Sequence, residues 1–160
     1  MISKTVPLKS MKRVSISKFQ DLLPKLRGRV FHVTTSDYYE KILVSEELIP
    51  SDLGHPSPFG NTLNGYFRLK GCVSLFDYRR YESPEWEEFY DRCLPTMPLK
   101  PETPIVILFL SPHFYEQLIS WENWKTEQCW SQRVVPHVEC GFPGGIPLSY
   151  IHDQLWITKK

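Results

Sequence analysis

Long apolar runs are missing from this chain of 160 residues. No segment approaches the roughly 18 consecutive apolar residues that a transmembrane helix needs. The first 14 residues also lack the apolar stretch of a secretory signal. We therefore expect a protein that has no membrane partner and that is cytoplasmic.

Paired cysteines are missing as well. The four cysteines stand at positions 72, 93, 129 and 140, and no two of them form a C-x-x-C pair. This spacing is typical of neither a disulfide framework nor a zinc site, so we expect reduced thiols that pack as small apolar side chains. Cys129 has no base at an interpretable position, which argues against a Cys/His nucleophile.

Internal repeats and low-complexity tracts are also absent, and 41% hydrophobic residues in a chain of this length indicate one globular domain. Charge is unevenly spread. Residues 1–30 carry eight basic side chains and one acid, whereas the other 130 residues hold 11 basic and 17 acidic groups. We therefore divide the chain into a basic N-terminal arm with a helix at 1–27 and a single α+β catalytic-type domain at 28–160. The arm is either a solvated face or a contact for nucleic acid.

Apolar periodicity, capping residues and proline positions predict short helices and strands in alternation. In chain order these are a short or kinked helix at 17–27, a strand at 29–34, a helix at 36–48, a strand at 72–76, a helix from 84, a buried strand at 105–110, a helix of about two turns from 112, and strands at 133–140 and 154–158. Residues 50–65 are rich in Pro, Gly, Ser and Asn and predict a long loop, of the kind that serves as a binding loop or lid. This order indicates an α+β fold.

Strand alternation makes residues 133–140 the most informative segment. In a strand, Arg133, His137 and Glu139 would share one face. The His137-x-Glu139 pair could supply two metal ligands, but the spacing selects no third ligand among His32, His113 and His152. We therefore predict no metal site.

Three segments resemble the ADP-ribosyltransferase-like superfamily when they are taken in order. His32-Val-Thr-Thr, followed by a helix and Leu48-Ile-Pro, is similar to the opening of that family. Gly71-Cys-Val-Ser-Leu-Phe resembles its second element, and Val135-Pro-His-Val-Glu resembles the strand that carries the catalytic Glu. The resemblance covers about residues 29–158. It implies split antiparallel or mixed sheets with flanking helices.

The resemblance also implies roles for individual residues, with NAD as the substrate. Glu139 and His32 would be catalytic, since Glu139 would stabilise the oxocarbenium-like centre and His32 would bind the ribose. Stacking on nicotinamide would fall to Tyr66 or, failing that, to Tyr78 or Tyr81. The remaining contacts with NAD would come from Thr34, Thr35, Ser74 and Arg133.

Two positions depart from parts of the family. His137 stands where arginine-directed members carry a second acid. His32, where other members have Arg, is similar to the His-Tyr-Glu type and to the RNA 2′-phosphotransferase branch. In that branch basic residues carry more of the chemistry, which would give Arg133 or Arg79 a larger role.

The resemblance implies an enzyme that transfers ADP-ribose from NAD to a macromolecular acceptor, either nucleic acid or protein, and acts as a toxin or defence factor. The alternative is a non-catalytic module that binds nucleic acid or protein. It would use the basic arm together with an aromatic surface formed by Trp121, Trp124 and Trp130.

Overall fold

The computed structural model describes residues 11–50, 57–59 and 64–160. Nine strands and five short α-helices form in these residues, so the predicted α+β class is confirmed. The strands are β1 (Lys12–Ile16), β2 (Val30–Thr35), β3 (Glu47–Leu48), β4 (Cys72–Asp77), β5 (Ile105–Leu110), β6 (Ile119–Ser120), β7 (Glu139–Pro143), β8 (Ile146–Pro147) and β9 (Ile151–Lys159). The α-helices are α1 (Leu23–Leu26), α2 (Ser36–Ser45), α3 (Tyr66–Leu69), α4 (Pro84–Phe89) and α5 (Glu122–Thr126). Four 3₁₀ helices lie at Phe19–Asp21, Tyr90–Arg92, Pro112–Gln117 and Leu148–Tyr150.

Seven of the strands form one mixed sheet in the order β1-β9-β5-β2-β4-β7-β6. β1 runs parallel to β9, and the other neighbours in this sheet are antiparallel. β5 lies at the centre of the core, and all six of its residues are buried. Its odd-numbered residues enter one apolar cluster and its even-numbered residues enter another. The sheet is thus covered on both faces, which matches the unbroken apolar sequence of β5. β3 and β8 form a separate two-stranded sheet.

The sheet forks between β2 and β4. β2 pairs with β5 from Phe31 to Thr35, but it pairs with β4 only at Val30 and Phe31. β4 continues alongside β7 from Cys72 to Phe76. The strands β1, β9, β5 and β2 therefore form one half of the sheet, β4, β7 and β6 form the other, and the halves separate directly after Phe31.

Aromatic packing holds the two halves together where the fork closes. The Phe31 ring stacks on Phe76 of β4, with centroids 5.4 Å apart, and meets Tyr78 edge-on at 5.0 Å. Phe109 of β5 lies 5.8 Å from Phe31 on the other side. Each of these rings removes a large apolar area from water, so the joint is a rigid part of the core.

The described part of the predicted arm packs into the sheet. β1 pairs with β9 along its whole length, and Ile16 at its end is buried. The helix predicted at 17–27 is short and broken, as expected from Pro24, and consists of a 3₁₀ turn followed by α1. Phe19, Leu22 and Leu26 are buried in the main core, which fixes this segment to the domain. Residues 1–10 lie outside the described residues.

The strand predicted at 133–140 is wrong over most of its length. Arg133 forms only an isolated bridge to Gly65, residues 134–138 form turns and irregular chain, and β7 begins only at Glu139. Pro136 has no N–H for a strand ladder, and His137 adopts a left-handed conformation with φ of 64°. The shared face expected for Arg133, His137 and Glu139 therefore does not exist.

Two helix predictions also need correction. The helix expected to reach Leu48 ends at Ser45, because Glu46 turns left-handed with φ of 58° and releases Glu47 and Leu48 to pair with β8. The helix expected after Ser111 is a 3₁₀ helix at Pro112–Gln117. Of the loop predicted at 50–65, residues 51–56 and 60–63 lie outside the described residues. None of the described helices has the length and apolar character needed to cross a membrane.

Close packing at Gly141 gives the first prediction. A Cβ added there would lie 2.5 Å from Cδ1 of Phe67, which is buried beneath β7. We expect Gly141→Ala to lower the free energy of unfolding by about 1–3 kcal/mol through overpacking. Chemical denaturation measures this. Adding Phe67→Leu should make the double variant less destabilised than the sum of the single changes, and simple additivity would contradict the packing explanation.

Candidate functional site

A cavity of about 610 Å³ opens at the fork in the sheet. One group of its lining residues comes from β2, α2 and β3, and the other comes from β4, α3 and the segments around residues 92–97 and 133–139. Ser57, Pro58 and Phe59 complete the wall, so the described part of the predicted loop does face the cavity. The volume lies within the range of small-molecule and cofactor pockets.

His32 lies on β2 at the first position beyond the joint. Its Nδ1 is 3.1 Å from the backbone oxygen of Ser74 on the opposite side of the fork. Because a carbonyl oxygen only accepts, Nδ1 carries the proton, and in the neutral ring Nε2 is an acceptor. Desolvation lowers the pKa of His32, and the bond to Ser74 only partly opposes this effect. The ring is therefore neutral near neutral pH.

Glu139 is the first residue of β7 and lies opposite Phe76 of β4. Burial raises the pKa of its carboxyl group to about 7, although a backbone hydrogen bond at Val135 and the charge of Arg133 lower it. Desolvation thus exceeds both stabilising contacts. Glu139 therefore titrates closer to neutral pH than an ordinary glutamate does, and it can give or take a proton there.

His32 and Glu139 line the same cavity but are not on adjacent strands, because β4 lies between β2 and β7. Phe31 and Phe76 pair and belong to one face of the sheet, and Glu139 pairs with Phe76 on that face. Alternation turns His32 toward the opposite face. Both side chains reach one cavity because the sheet is open beyond Phe31.

The other site residues from the sequence fall into two groups. Thr34, Ser74, Tyr66 and Arg133 line the cavity together with His32 and Glu139. Thr35, the last residue of β2 before α2, does not line it. Six of the seven residues expected at the site thus line one cavity, and Thr35 lies outside its lining.

None of the three proposed tyrosines is both exposed and part of the cavity lining. Tyr66 is completely buried, and its hydroxyl donates a hydrogen bond to Glu127 at 2.8 Å. Tyr78 is also completely buried, and Tyr81 packs edge-on against Trp86 and lies outside the cavity lining. The aromatic side chains that line the cavity and are partly exposed are Tyr38 and Phe59.

Cationic side chains outnumber carboxylates in the cavity wall. The cations are Lys41, Arg68, Arg92 and Arg133, and the carboxylates are Glu47 and Glu139. Within the described residues none of these four cations forms an ion pair. A cavity with this excess of positive charge favours an anionic ligand, such as one that carries phosphate groups.

The geometry does not support a metal site at His137-x-Glu139. The His137 ring lies outside the cavity, 4.2 Å from the Trp121 ring and 5.6 Å from the Phe89 ring. In residues 11–50, 57–59 and 64–160 no group of three or more His, Cys, Asp and Glu side chains could hold a metal ion. The four cysteines are unpaired, and Cys72 and Cys140 are buried.

Sequence reasoning missed Lys41, Arg68, Arg92, Tyr38 and Phe59 as cavity residues. Lys41 lies one helical turn after Tyr38, so the helical period could have linked these two on α2. Arg92 is the last residue of the 3₁₀ helix Tyr90–Arg92, and nothing in its local sequence indicates that it reaches the fork. Comparisons with protein-family models, with curated proteins and with solved structures give no match.

The raised pKa of Glu139 predicts a pH-dependent stability effect. The value of about 7 in the folded protein exceeds the ordinary 4.5, so the folded state binds more protons between these values and loses stability as pH rises through about 7. Glu139→Gln removes this loss. At each pH, the effect of the variant is its free energy of unfolding minus that of the natural chain. We expect this difference to be on the order of 2 kcal/mol more positive at about pH 8 than at about pH 5.

Denaturant unfolding at the two pH values measures this difference. Glu88→Gln, which changes an exposed glutamate of α4, is the matched control and should show no such pH-dependent gain. Equal effects of Glu139→Gln at both pH values would show that the Glu139 carboxylate is not desolvated.

Proposed function

We propose that this chain is an ADP-ribosyltransferase-like protein that cleaves NAD at the nicotinamide bond and transfers ADP-ribose to a macromolecular acceptor. The observation that carries the proposal is the presence of His32 and Glu139 in one cavity at the fork of a split sheet. Sequence resemblance and cavity position are independent kinds of support. The first two resembling segments contain β2 and β4, and the third ends at Glu139, the first residue of β7.

The shape and charge of the cavity suit a dinucleotide. Lys41 lies on α2 with the His32 group of lining residues, and Arg92 lies with the Glu139 group. A ligand that contacts both groups must extend through the fork and would meet positive charge on each side. NAD is extended and carries a pyrophosphate, which guanidinium and ammonium groups bind through charge-assisted hydrogen bonds.

Glu139 would supply the electrostatic part of catalysis. Loss of nicotinamide leaves positive charge on the ribose, as in glycoside cleavage, and a fixed carboxylate stabilises that charge. At about 4 Å and an effective dielectric constant near 20, the attraction is roughly 4 kcal/mol. If it acts only in the transition state, it raises the rate about a thousandfold.

His32 would position the ribose. Its Nδ1–H donates to Ser74, which fixes the ring across the fork, and its neutral Nε2 can accept a hydrogen bond from a ribose hydroxyl. Tyr38 and Phe59 take the place of the buried Tyr66 as candidates for stacking on a flat ring. Tyr38 and Phe59 are assigned this role because both line the cavity and both are partly exposed.

Nicotinamide release from NAD tests the proposed reaction. We expect Glu139→Gln to lower the rate on the order of a thousandfold, since the amide cannot stabilise the developing charge. Glu88→Gln should release nicotinamide at the natural rate. The enzymatic claim would be wrong if the natural chain and Glu139→Gln released nicotinamide equally. It would also be wrong if neither released nicotinamide when nucleic-acid and protein acceptors are supplied.

The pH profile of the same reaction gives a separate prediction. Only the ionised Glu139 can stabilise a cation, and the pKa of this carboxyl group in the free protein is about 7. We therefore expect kcat/KM for nicotinamide release to rise with pH through about 7 and then level off. A profile that is flat between about pH 5 and pH 9 would contradict the assigned role of Glu139.

NAD binding tests His32 independently of turnover. Loss of one hydrogen bond to the ribose should weaken binding by His32→Ala roughly five- to tenfold in isothermal titration calorimetry. His113→Ala is the matched control, because His113 is exposed and does not line the cavity. If His32→Ala binds NAD as tightly as the natural chain does, His32 is not part of the NAD site.

A further inference from the structure

Trp130 is conspicuous on the surface beside the cavity. It is 59% exposed and is the one aromatic among the strongly exposed large apolar side chains of the described residues. It lies in the turn Cys129–Gln132, which is closed by a hydrogen bond from Gln132 N to Cys129 O at 2.9 Å. Exposure of such a large apolar ring is costly in water, so the side chain is available to contact another molecule.

The turn that carries Trp130 is firmly held. The ring meets Trp124 edge to face, with centroids 4.9 Å apart. The indole N–H of Trp124 donates to Gln132 O at 2.8 Å, and Trp124 packs against the buried cluster that contains Tyr66 and Phe67. Little conformational entropy therefore remains to be lost when Trp130 binds a partner.

Backbone pairing joins this turn to the cavity wall. Arg133 N donates to Asn64 O at 2.8 Å, and Tyr66 N donates to Arg133 O at 2.9 Å. Arg133 and Arg68 both line the cavity. Three residues of chain span at most about 10 Å, so the backbone of Trp130 lies within about this distance of Arg133 in the cavity wall.

The charge of this surface is mainly positive. Residues 64–70 and 128–138 carry three cations, Arg68, Lys70 and Arg133, and the carboxylates Glu127 and Glu139 stand directly at the two ends of the second segment. Lys70 is ion-paired with Glu127 and is thereby neutralised. Arg68 and Arg133 have no ion pair within the described residues, so their charges are open to an anionic partner.

We propose that Trp130, Arg68 and Arg133 form the acceptor-binding surface and that the acceptor is a single-stranded nucleic acid. A flat exposed indole stacks on any base, and the two guanidinium groups would hold neighbouring phosphates. Protein partners also use tryptophan, but they would have to bring acidic groups to both arginines as well. The identification of this surface as an acceptor site rests on the proposed function.

The proposed transfer of ADP-ribose needs no reactant besides NAD and the nucleic acid. The bond between the ribose carbon and the pyridinium nitrogen of NAD breaks, and nicotinamide leaves as a neutral molecule with the electron pair. A nucleophilic oxygen or nitrogen of the nucleic acid forms the new bond to that carbon and releases one proton to solvent.

Fluorescence anisotropy with the full chain tests the surface without NAD. The probes are labelled single-stranded DNA and RNA oligonucleotides of mixed sequence, compared at one salt concentration. We expect Trp130→Ala and Arg133→Gln each to weaken binding on the order of tenfold, and Trp130→Phe to retain most of the affinity, because a ring remains. Arg80→Gln changes an exposed arginine outside the cavity and should bind as the natural chain does.

Transfer of labelled ADP-ribose is then measured with the oligonucleotides and with a protein mixture offered separately. Label on the oligonucleotides that falls with Trp130→Ala supports the proposal. Oligonucleotide binding that is unchanged in Trp130→Ala, or label found on protein alone, overturns it. Failure of the proposed function is distinguishable, since it would appear as absence of nicotinamide release while Trp130-dependent oligonucleotide binding persists.

Discussion

The contact between Phe31 and Phe76 determines how the rest of the site is arranged. Phe31 is the last residue of β2 that pairs with β4, and its ring stacks on Phe76 at the closed end of the fork. Because the halves are joined at this end, the strands can separate beyond it without loss of the core. β2 keeps its pairing with β5, and β4 keeps its pairing with β7. The cavity is therefore a consequence of incomplete pairing within a well-packed sheet.

The cavity affects its two principal titratable groups in opposite directions but for the same reason. Desolvation lowers the pKa of His32 and raises that of Glu139, so it favours the neutral form of each. A ligand that brings positive charge to Glu139 would favour the carboxylate. By linkage, ionisation of Glu139 would then strengthen binding of that ligand to the same degree. Burial thus makes the site responsive to a cationic group, which is the property that the proposed reaction needs.

The sequence predicted those elements whose local pattern and tertiary environment agree. β4 and β5 are apolar and buried, and the break at Pro24 follows from its ring. The segment 133–138 has the apolar alternation of a strand, and this pattern led to the wrong prediction. Pro136 and the left-handed His137 prevent the backbone from pairing there. The resemblance implied that His32 and Glu139 share one cleft, and both line the cavity, but β4 separates their strands and their side chains leave opposite faces of the sheet. The burial of Tyr66 could not be predicted from the sequence, because its partners, Glu127 among them, are distant along the chain.

The raised pKa of Glu139 also distinguishes two roles for Arg133. If Arg133 were the counterion of Glu139, its charge would hold the carboxyl group ionised, with a pKa below the usual value. The charge of Arg133 does lower this pKa, but desolvation outweighs it. The carboxylate is therefore not held in a strong existing ion pair. Under the proposed function, its interaction energy would remain for a charge that develops only in the transition state. Under the proposed function Arg133 is correspondingly free to bind a phosphate, so the two side chains would serve different parts of the bound substrates although they line the same wall.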